Sequence, residues 1–289
     1  MKITLNAQAK INWFLDIVDR RDDGYHNIVT AMQFVNLFDQ LTFEKADKIE
    51  VISGLNIPVT ENLVYKSAVL IKKYSSYDRG ARIILKKEIP HSAGLGGGSS
   101  DAAYTLMGLN RLWGLGLNTE KLTGLASEIG SDVPFFIRGP FSLAEGRGER
   151  VNELNIKSSV AMLLVKPEIS ISSSWAYNSY RPELTKKHID IKLFCQALVN
   201  KDFILLKRLI FNDLEKPVFM KYHLVREIKE MLSKNGAVFS AMSGSGPTVF
   251  GVFNSAEEAD EASKKTGNNW CRVVRTLNPD DKWQADDEK

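Results

Sequence analysis

The sequence predicts an α+β protein built as two lobes. Three observations carry that expectation. Short strand-like runs crowd the first half. Amphipathic helices interrupt them without a regular strand–helix–strand alternation. The second half has the order of a ferredoxin-like unit. A length of 289 residues is generous for one core and short for three, so two lobes are expected, dividing at 155/156 within a junction at 152–159. Hydrophobic residues make up 44% of the chain and charged residues 25%, enough apolar material for a core under a solvated surface.

Strands are predicted at 3–5, 10–17, 30–36, 40–44, 49–52 and 82–85, where apolar and polar residues alternate and β-branched or aromatic side chains are frequent. A helix is predicted over 62–74, with Leu63, Val64, Ala68, Leu70 and Ile71 at helical spacing. A second covers 99–113, with Gly114 as its stop and Ser99, Ser100 and Asp101 at the cap and first turn. A third covers 119–129 and ends at Gly130. Pro134 then separates it from Phe135, Phe136 and Ile137, which read as a buried strand. In the second lobe, 160–165 reads as a buried strand, and 193–198, 203–211 and 223–233 read as helices. The segments 237–242 and SGSGPTVFGVF (243–253), a helix at 257–265 and a strand at 271–277 complete the ferredoxin-like order. The polar tail NPDDKWQADDEK is expected to fray.

Lys and Arg number 38 against 35 Asp and Glu, a net charge of +3 that predicts neither a nucleic-acid nor a membrane-binding surface. Cys195 and Cys271 are the two cysteines, without metal-ligand spacing, so no zinc site, no disulfide framework and a reducing, cytoplasmic setting are expected. No secretory signal is read in the first 26 residues, where Lys10 and Asp16 interrupt the apolar stretch. No apolar run approaches the roughly 18 residues of a membrane span.

The stretch PHSAGLGGGSSDAA (90–103) is the most informative. Each glycine costs roughly 0.5–1 kcal/mol of order relative to alanine, so four in five positions need a compensating purpose. A glycine loop feeding a helix can wrap its N–H groups around phosphate oxygens, aided by the helix dipole. The stretch lacks the Lys-Ser/Thr of a Walker A loop and the GxGxxG spacing of a dinucleotide fingerprint. A second glycine-rich loop, MSGSGPTVF (242–250), lies far downstream, and two such loops can close on one phosphate-bearing ligand.

These residues resemble the kinase superfamily named for galactokinase, homoserine kinase, mevalonate kinase and phosphomevalonate kinase. The block 90–103 resembles its ATP loop. AKINWFLDIVDRRDDGYHNIVTAMQ (9–33) and SGSGPTVFGVF (243–253) resemble the first and third motifs of the branch that phosphorylates a cytidine-diphosphate-linked methylerythritol. IGSDVPFFIRG and NDLEKPVF (212–219) agree with that branch too, so the resemblance spans nearly the whole chain. The resemblance implies a ribosomal-protein-S5-domain-2-like N-terminal lobe and a ferredoxin-like C-terminal lobe. It further implies transfer of the ATP γ-phosphoryl group to the substrate's 2-hydroxyl, in non-mevalonate isoprenoid precursor synthesis, with ATP and Mg2+ as cofactors.

By the same resemblance, Lys10 and Asp132 are the catalytic pair. Phosphoryl transfer asks for positioned phosphates, neutralised charge and a group that orients or deprotonates the hydroxyl. An ammonium ~4 Å from a carboxylate is attracted by about 4 kcal/mol at an effective dielectric of 20. The ATP contacts implied are Asn62, Lys87, Pro90, His91, Ser92, Ala93, Gly94, Leu95, Gly96, Gly97, Gly98, Ser99 and Ser100. Asp101 reads either as a helix cap or as a contact of magnesium, and no acidic cluster marks protein ligands for the ion. Tyr25 is expected to stack on cytosine and His26 to bond its edge. Tyr177 is expected as the second aromatic, with Trp175 and Tyr180 as alternatives, because Ser172-Ser173-Ser174 replaces the branch's Pro-Thr-Pro run. Gly244 and Ser245 complete the acceptor site. Trp13, where leucine is more usual, is expected to pack. No obligate protein partner is indicated. Competing readings are a kinase for another small alcohol such as mevalonate or homoserine, a nucleotide-binding protein without catalysis, and an RNA-binding module, the weakest because the charge offers no basic footprint.

Overall fold

The computed structural model describes residues 2–182 and 188–281; residues 282–289, most of the polar tail, lie outside the described residues. The first sheet is organised by a long antiparallel hairpin of β1 (Lys2–Arg20) and β2 (His26–Ala46). Each absorbs two of the short strands predicted from the sequence. The pairing shifts register between Gln8 and Ala9, inside the gap left between the predicted strands, and the alternating polar residues Gln8, Lys10 and Asn12 are buried. After β3 (Glu50–Ser53) come α1 (Leu63–Ser75) and β4 (Gly80–Lys86). Asn62 caps α1 by accepting from Val64 N at 2.9 Å.

Next come α2 (Gly97–Trp113), α3 (Thr119–Ile129), α4 (Val133–Arg138), β5 (Phe141–Gly146) and β6 (Arg150–Glu153). β2's free edge is shared end to end: β5 pairs with Ile28–Gln33 and β4 with Gln40–Ala46. Helices α1 to α4 bury their apolar faces against the sheet, with Leu106, Leu109, Phe135 and Phe136 meeting Phe34, Phe43 and Ile83.

Two expectations are corrected here. Phe135, Phe136 and Ile137 lie in the short helix α4, not in a strand. Pro134 sits in its first turn, where a missing N–H is harmless, and a segment buried on all sides shows no period to distinguish helix from strand. Helix α2 begins at Gly97, two residues early, and its cap is Gly96 in the left-handed region (φ 70°) rather than a serine. Ser100 and Asp101 therefore lie inside the helix and face inward.

The second sheet contains β7 (Ala161–Lys166), β8 (Phe239–Met242), β9 (Val249–Phe253) and β10 (Trp270–Arg275). Its order is β10-β7-β9-β8, antiparallel throughout, which is the ferredoxin-like arrangement. The first crossover carries α5 (Ser173–Ser179), α6 (Ile191–Val199), α7 (Phe203–Leu209), α8 (Glu215–Lys221) and α9 (His223–Lys234), and the second carries α10 (Ala256–Ser263). The short helices α5 and α8 and the strands β5 and β6 escaped the sequence reading.

β1 runs through three hydrophobic clusters in turn. Ile3, Leu5 and Ala7 belong to the first, Ala9, Ile11, Trp13 and Phe14 to the second, and Leu15 and Ile17 to the third. Trp13 packs as expected. It is fully buried, donates to Gln33 Oε1 at 2.7 Å, and meets Phe194, Phe239 and Phe250 of the second lobe. No helix among the described residues is long and apolar enough to cross a membrane.

Candidate active site

A cleft of about 860 Å³ lies where the two lobes meet. Its first wall is the glycine loop. Gly94 (φ 75°) and Gly96 (φ 70°) occupy backbone that glycine alone adopts at little cost. Because Gly96 has no side chain, the first-turn N–H groups of α2 are left uncapped and face the cleft. A Cβ on Gly96 would lie 2.7 Å from the Phe136 ring, and one on Gly97 3.3 Å from Lys87 Nζ. A close backbone surface with unused donors at a helix N-terminus suits the phosphates of a nucleotide.

The second glycine loop closes against the first. Ser243 Oγ donates to Gly94 O at 2.9 Å, Thr248 N donates to Ala93 O at 3.2 Å, and Asn12 N donates to Ser243 Oγ at 3.2 Å. Asn212, from the NDLE motif, fixes the loop from behind by donating to Met242 O and Gly244 O, both at 2.8 Å. A Cβ on Gly94 would fall 2.2 Å from Ser243 O, so the loops leave no space for one. Gly94→Ala should therefore cost at least about 2 kcal/mol of stability, the strained dihedral and the clash acting together. Urea denaturation reads this directly, and an unchanged midpoint would contradict the loop contact.

Lys10, on β1, projects between the two loops. Its ammonium donates to Asn12 Oδ1 and to Gly94 O (3.1 Å), and lies 3.7 Å from Asp132 Oδ2. Burial pulls the Lys10 pKa below the ordinary lysine value, with Asp132 opposing it. Asp132 stands at the start of α4 with its side chain 40% exposed. Asn12 in turn donates to Thr30 Oγ1 at 2.8 Å, and Thr30 donates to Phe14 O at 2.6 Å, so the Lys10 head sits in a fixed polar frame.

At the other end, the His26 imidazole stacks on Tyr177, with ring centroids 5.8 Å apart, and meets Tyr180 edge-on. Burial and the nearby Arg20 lower the His26 pKa, so its ring is disposed to be neutral. Burial, with Asp132 adding, raises the Tyr177 phenol. Tyr25 is half exposed, and the Arg147 guanidinium lies 5.2 Å from its ring centre. Of the alternatives to Tyr177, Trp175 packs edge-on against Tyr222 instead.

The cleft gathers Lys10, Asp132, Asn62, Lys87, Pro90, His91, Ser92, Ala93, Gly94, Gly96, Gly97, Gly98 and Ser99. Tyr25, His26, Tyr177, Gly244 and Ser245 line it as well. Two expected ATP contacts do not reach it. Leu95 is wholly buried and offers its carbonyl to Lys10 N at 3.0 Å. Ser100 is also wholly buried, with its N–H committed to Gly96 O at 2.8 Å. Asp101 neither caps the helix nor stands alone, because it pairs with Lys87 at 2.7 Å. Asn12 and Arg147 also line the cleft and were missed by the sequence reading. The EGRGE turn that presents Arg147 between Gly146 and Gly148 was the available signal.

Comparison with known proteins agrees with this geometry. The GHMP kinases N terminal domain matches residues 62–140, and the GHMP kinases C terminal domain matches 194–271. Fold and cleft together define an ATP-dependent kinase of the GHMP class. The 4-diphosphocytidyl-2-C-methyl-D-erythritol kinase of Thermodesulfovibrio yellowstonii is 45% identical over 279 residues, covering 95% of this chain and 98% of that protein. The protein of the same name from Listeria monocytogenes is 38% identical with both chains fully covered. A crystal structure of 4-(cytidine 5'-diphospho)-2C-methyl-D-erythritol kinase superposes with a TM-score of 0.85 at 30% identity, over 95% of this chain and 99% of that one. Homoserine kinase from Cytophaga hutchinsonii shares the fold, with a TM-score of 0.74 at 20% identity over 96% of this chain and 95% of that one. The chain belongs to the 4-diphosphocytidyl-2-C-methyl-D-erythritol kinase family.

Proposed function

We propose that this enzyme transfers the γ-phosphoryl group of ATP to the 2-hydroxyl of 4-diphosphocytidyl-2-C-methyl-D-erythritol, a step of non-mevalonate isoprenoid precursor synthesis. The observation that supports it most is the meeting of Lys10 and Asp132 between a phosphate-sized glycine cradle and a paired imidazole–phenol platform. A flat ring between Tyr25 and Tyr177 suits a pyrimidine, and stacking is worth about 1–3 kcal/mol per base. His26 has ring nitrogens to read that base's edge. Gly244 and Ser245 line the acceptor side, and Arg147 adds a cation beside Tyr25 that suits the acceptor's charged linkage.

In this reading the N–H groups of Gly97, Gly98 and Ser99 hold the ATP phosphates, with Lys87 beside them. Asn62 and the 90–94 segment border the nucleotide. Asp132 accepts a hydrogen bond from the substrate's 2-hydroxyl, aligning the oxygen on the γ-phosphorus. Because the transition state of phosphoryl transfer is loose, the proton leaves late, and Asp132 receives it as the O–P bond forms. Lys10 faces the same space and neutralises charge gathering on the transferred group. No three His, Cys, Asp or Glu side chains converge among the described residues. Mg2+ would then be carried by phosphate oxygens and water, a usual arrangement for this ion, and would offset the phosphate charge.

Residues 1–155 form the lobe with the ATP loop and catalytic pair in this reading, and 156–289 the lobe that completes the acceptor site. We infer a cytoplasmic enzyme acting on a small molecule, with no obligate protein partner. ATP consumption by the purified protein should depend on the cytidine-linked alcohol and not on mevalonate or homoserine. Turnover of either of those, without turnover of the first, would overturn the assignment.

A further inference from the structure

Beside the glycine loop lies a buried charge cluster whose central member, Asp39, no motif marks. Asp39, on β2, pairs with Ala7 of β1 on one side. On the other it stands just past the end of β4, whose pairing with β2 stops at Gln40. Its side chain is fully buried and spans that gap. One oxygen accepts from Glu88 N at 2.6 Å and Ile89 N at 2.9 Å, and the other binds the Lys87 ammonium. Lys87 is also held by Asp101 Oδ2 at 2.7 Å, while Asp101 Oδ1 is buried with no hydrogen-bond partner. Lys87 and Asp101 both line the cleft, and the ammonium lies against Gly97, where α2 begins.

We propose that Asp39 is a positioning residue for nucleotide binding: it holds Lys87 and the chain leaving β4 so that the ammonium meets the phosphates at the start of α2. The proposal rests on the ATP reading of the glycine loop. A fully buried carboxylate with two backbone donors and one ammonium is a costly arrangement to maintain for packing alone. Here it fixes in one place the cation and the first residues of the segment that becomes the cradle. Against the opposing pull of burial, Asp101 and Asp39 hold the Lys87 pKa above its ordinary value, keeping it cationic.

The cluster carries two carboxylates and one ammonium, so its charge depends on Asp101. Burial pushes the Asp101 carboxyl up to about 7, with Lys87 opposing and Asp39 adding to the rise. The other groups nearby are turned elsewhere. Lys10 of β1 faces Asn12 and Asp132, Tyr104 of α2 donates to Gln8, Asn62 before α1 accepts from Val64 N, and His91 bonds Ser92. When Asp101 loses its proton the cluster gives up one unit of positive charge and holds phosphate less strongly. KM for ATP should accordingly climb as pH rises through about 7.

The test is steady-state kinetics on the full-length wild type, Asp39→Asn, Lys87→Gln and the double variant. Asparagine keeps an oxygen for the two backbone donors but turns an N–H toward the ammonium. Asp39→Asn is expected to raise KM for ATP at least about ten-fold, the scale of one charge-assisted hydrogen bond, and to leave KM for the acceptor within about two-fold. The double variant should be no worse than Lys87→Gln alone. The climb in KM for ATP should also move below pH 7, because the Asp39 charge no longer raises Asp101; the titration of ATP itself is common to all variants. An unchanged or lowered KM for ATP, equal rises in both KM values, or full additivity with Lys87→Gln would overturn the proposal. If Asp39→Asn does not fold, Asp39→Glu keeps the charge but displaces it. That variant should raise KM for ATP while leaving the pH step near 7, and no rise would count against the proposal. A wild type that consumes no ATP with any acceptor would defeat the nucleotide reading itself, and the proposal with it.

Discussion

Asp132→Asn is expected to lower kcat at least about 10²-fold, the scale usual for losing a general base, while KM for ATP stays near that of the wild type. The amide keeps the shape of the carboxylate but cannot receive the hydroxyl proton. The carboxylate is 40% exposed and makes no capping bond to α4, so little of the fold depends on its charge. That separation makes the experiment clean, because an intact thermal unfolding profile should accompany the loss of turnover. Near-wild-type turnover would remove Asp132 from the chemistry.

Lys10→Met is expected to lower kcat about 10²–10³-fold, comparable with deleting one preorganised electrostatic donor from an active site. Methionine keeps the length of the side chain but leaves Asn12 Oδ1 without the Lys10 donor and Gly94 O with Ser243 Oγ alone. The pH profile carries the second signature. Burial lowers the Lys10 pKa, so the ammonium is lost before an ordinary lysine would lose it. Activity should then fall on the alkaline side as pH rises through that lowered value, and this limb should be missing from the residual activity of Lys10→Met. A full alkaline limb in the variant would assign the titration to another group.

The sequence showed most of what is local. Helices α1, α2 and α3 were legible from spacing and from Asn62, Gly114 and Gly130 at their ends. The ferredoxin-like order was readable because each of its strands is short, apolar and bounded by turns. The glycine loop announced a phosphate on physical grounds, whereas the roles of Lys10, Asp132 and the Tyr25–His26 pair came from the resemblance.

What escaped depends on partners distant in the chain. Asp39 meets Lys87 across 48 positions, and Asn12 meets Ser243 across 231. Neither pairing has a local pattern. The long strands β1 and β2 were divided near Gln8–Ala9 and Phe38, where their pairing shifts register and the sequence carries no continuous strand pattern across the shift.

The path of β1 has a consequence for how the molecule folds. One strand supplies apolar side chains to all three clusters, and Trp13 brings aromatic rings of the far lobe into the middle one. Each interior takes side chains from that strand, so the two lobes are expected to unfold as one cooperative unit. The protein is therefore expected to melt in one calorimetric transition, and two resolved transitions would contradict that coupling.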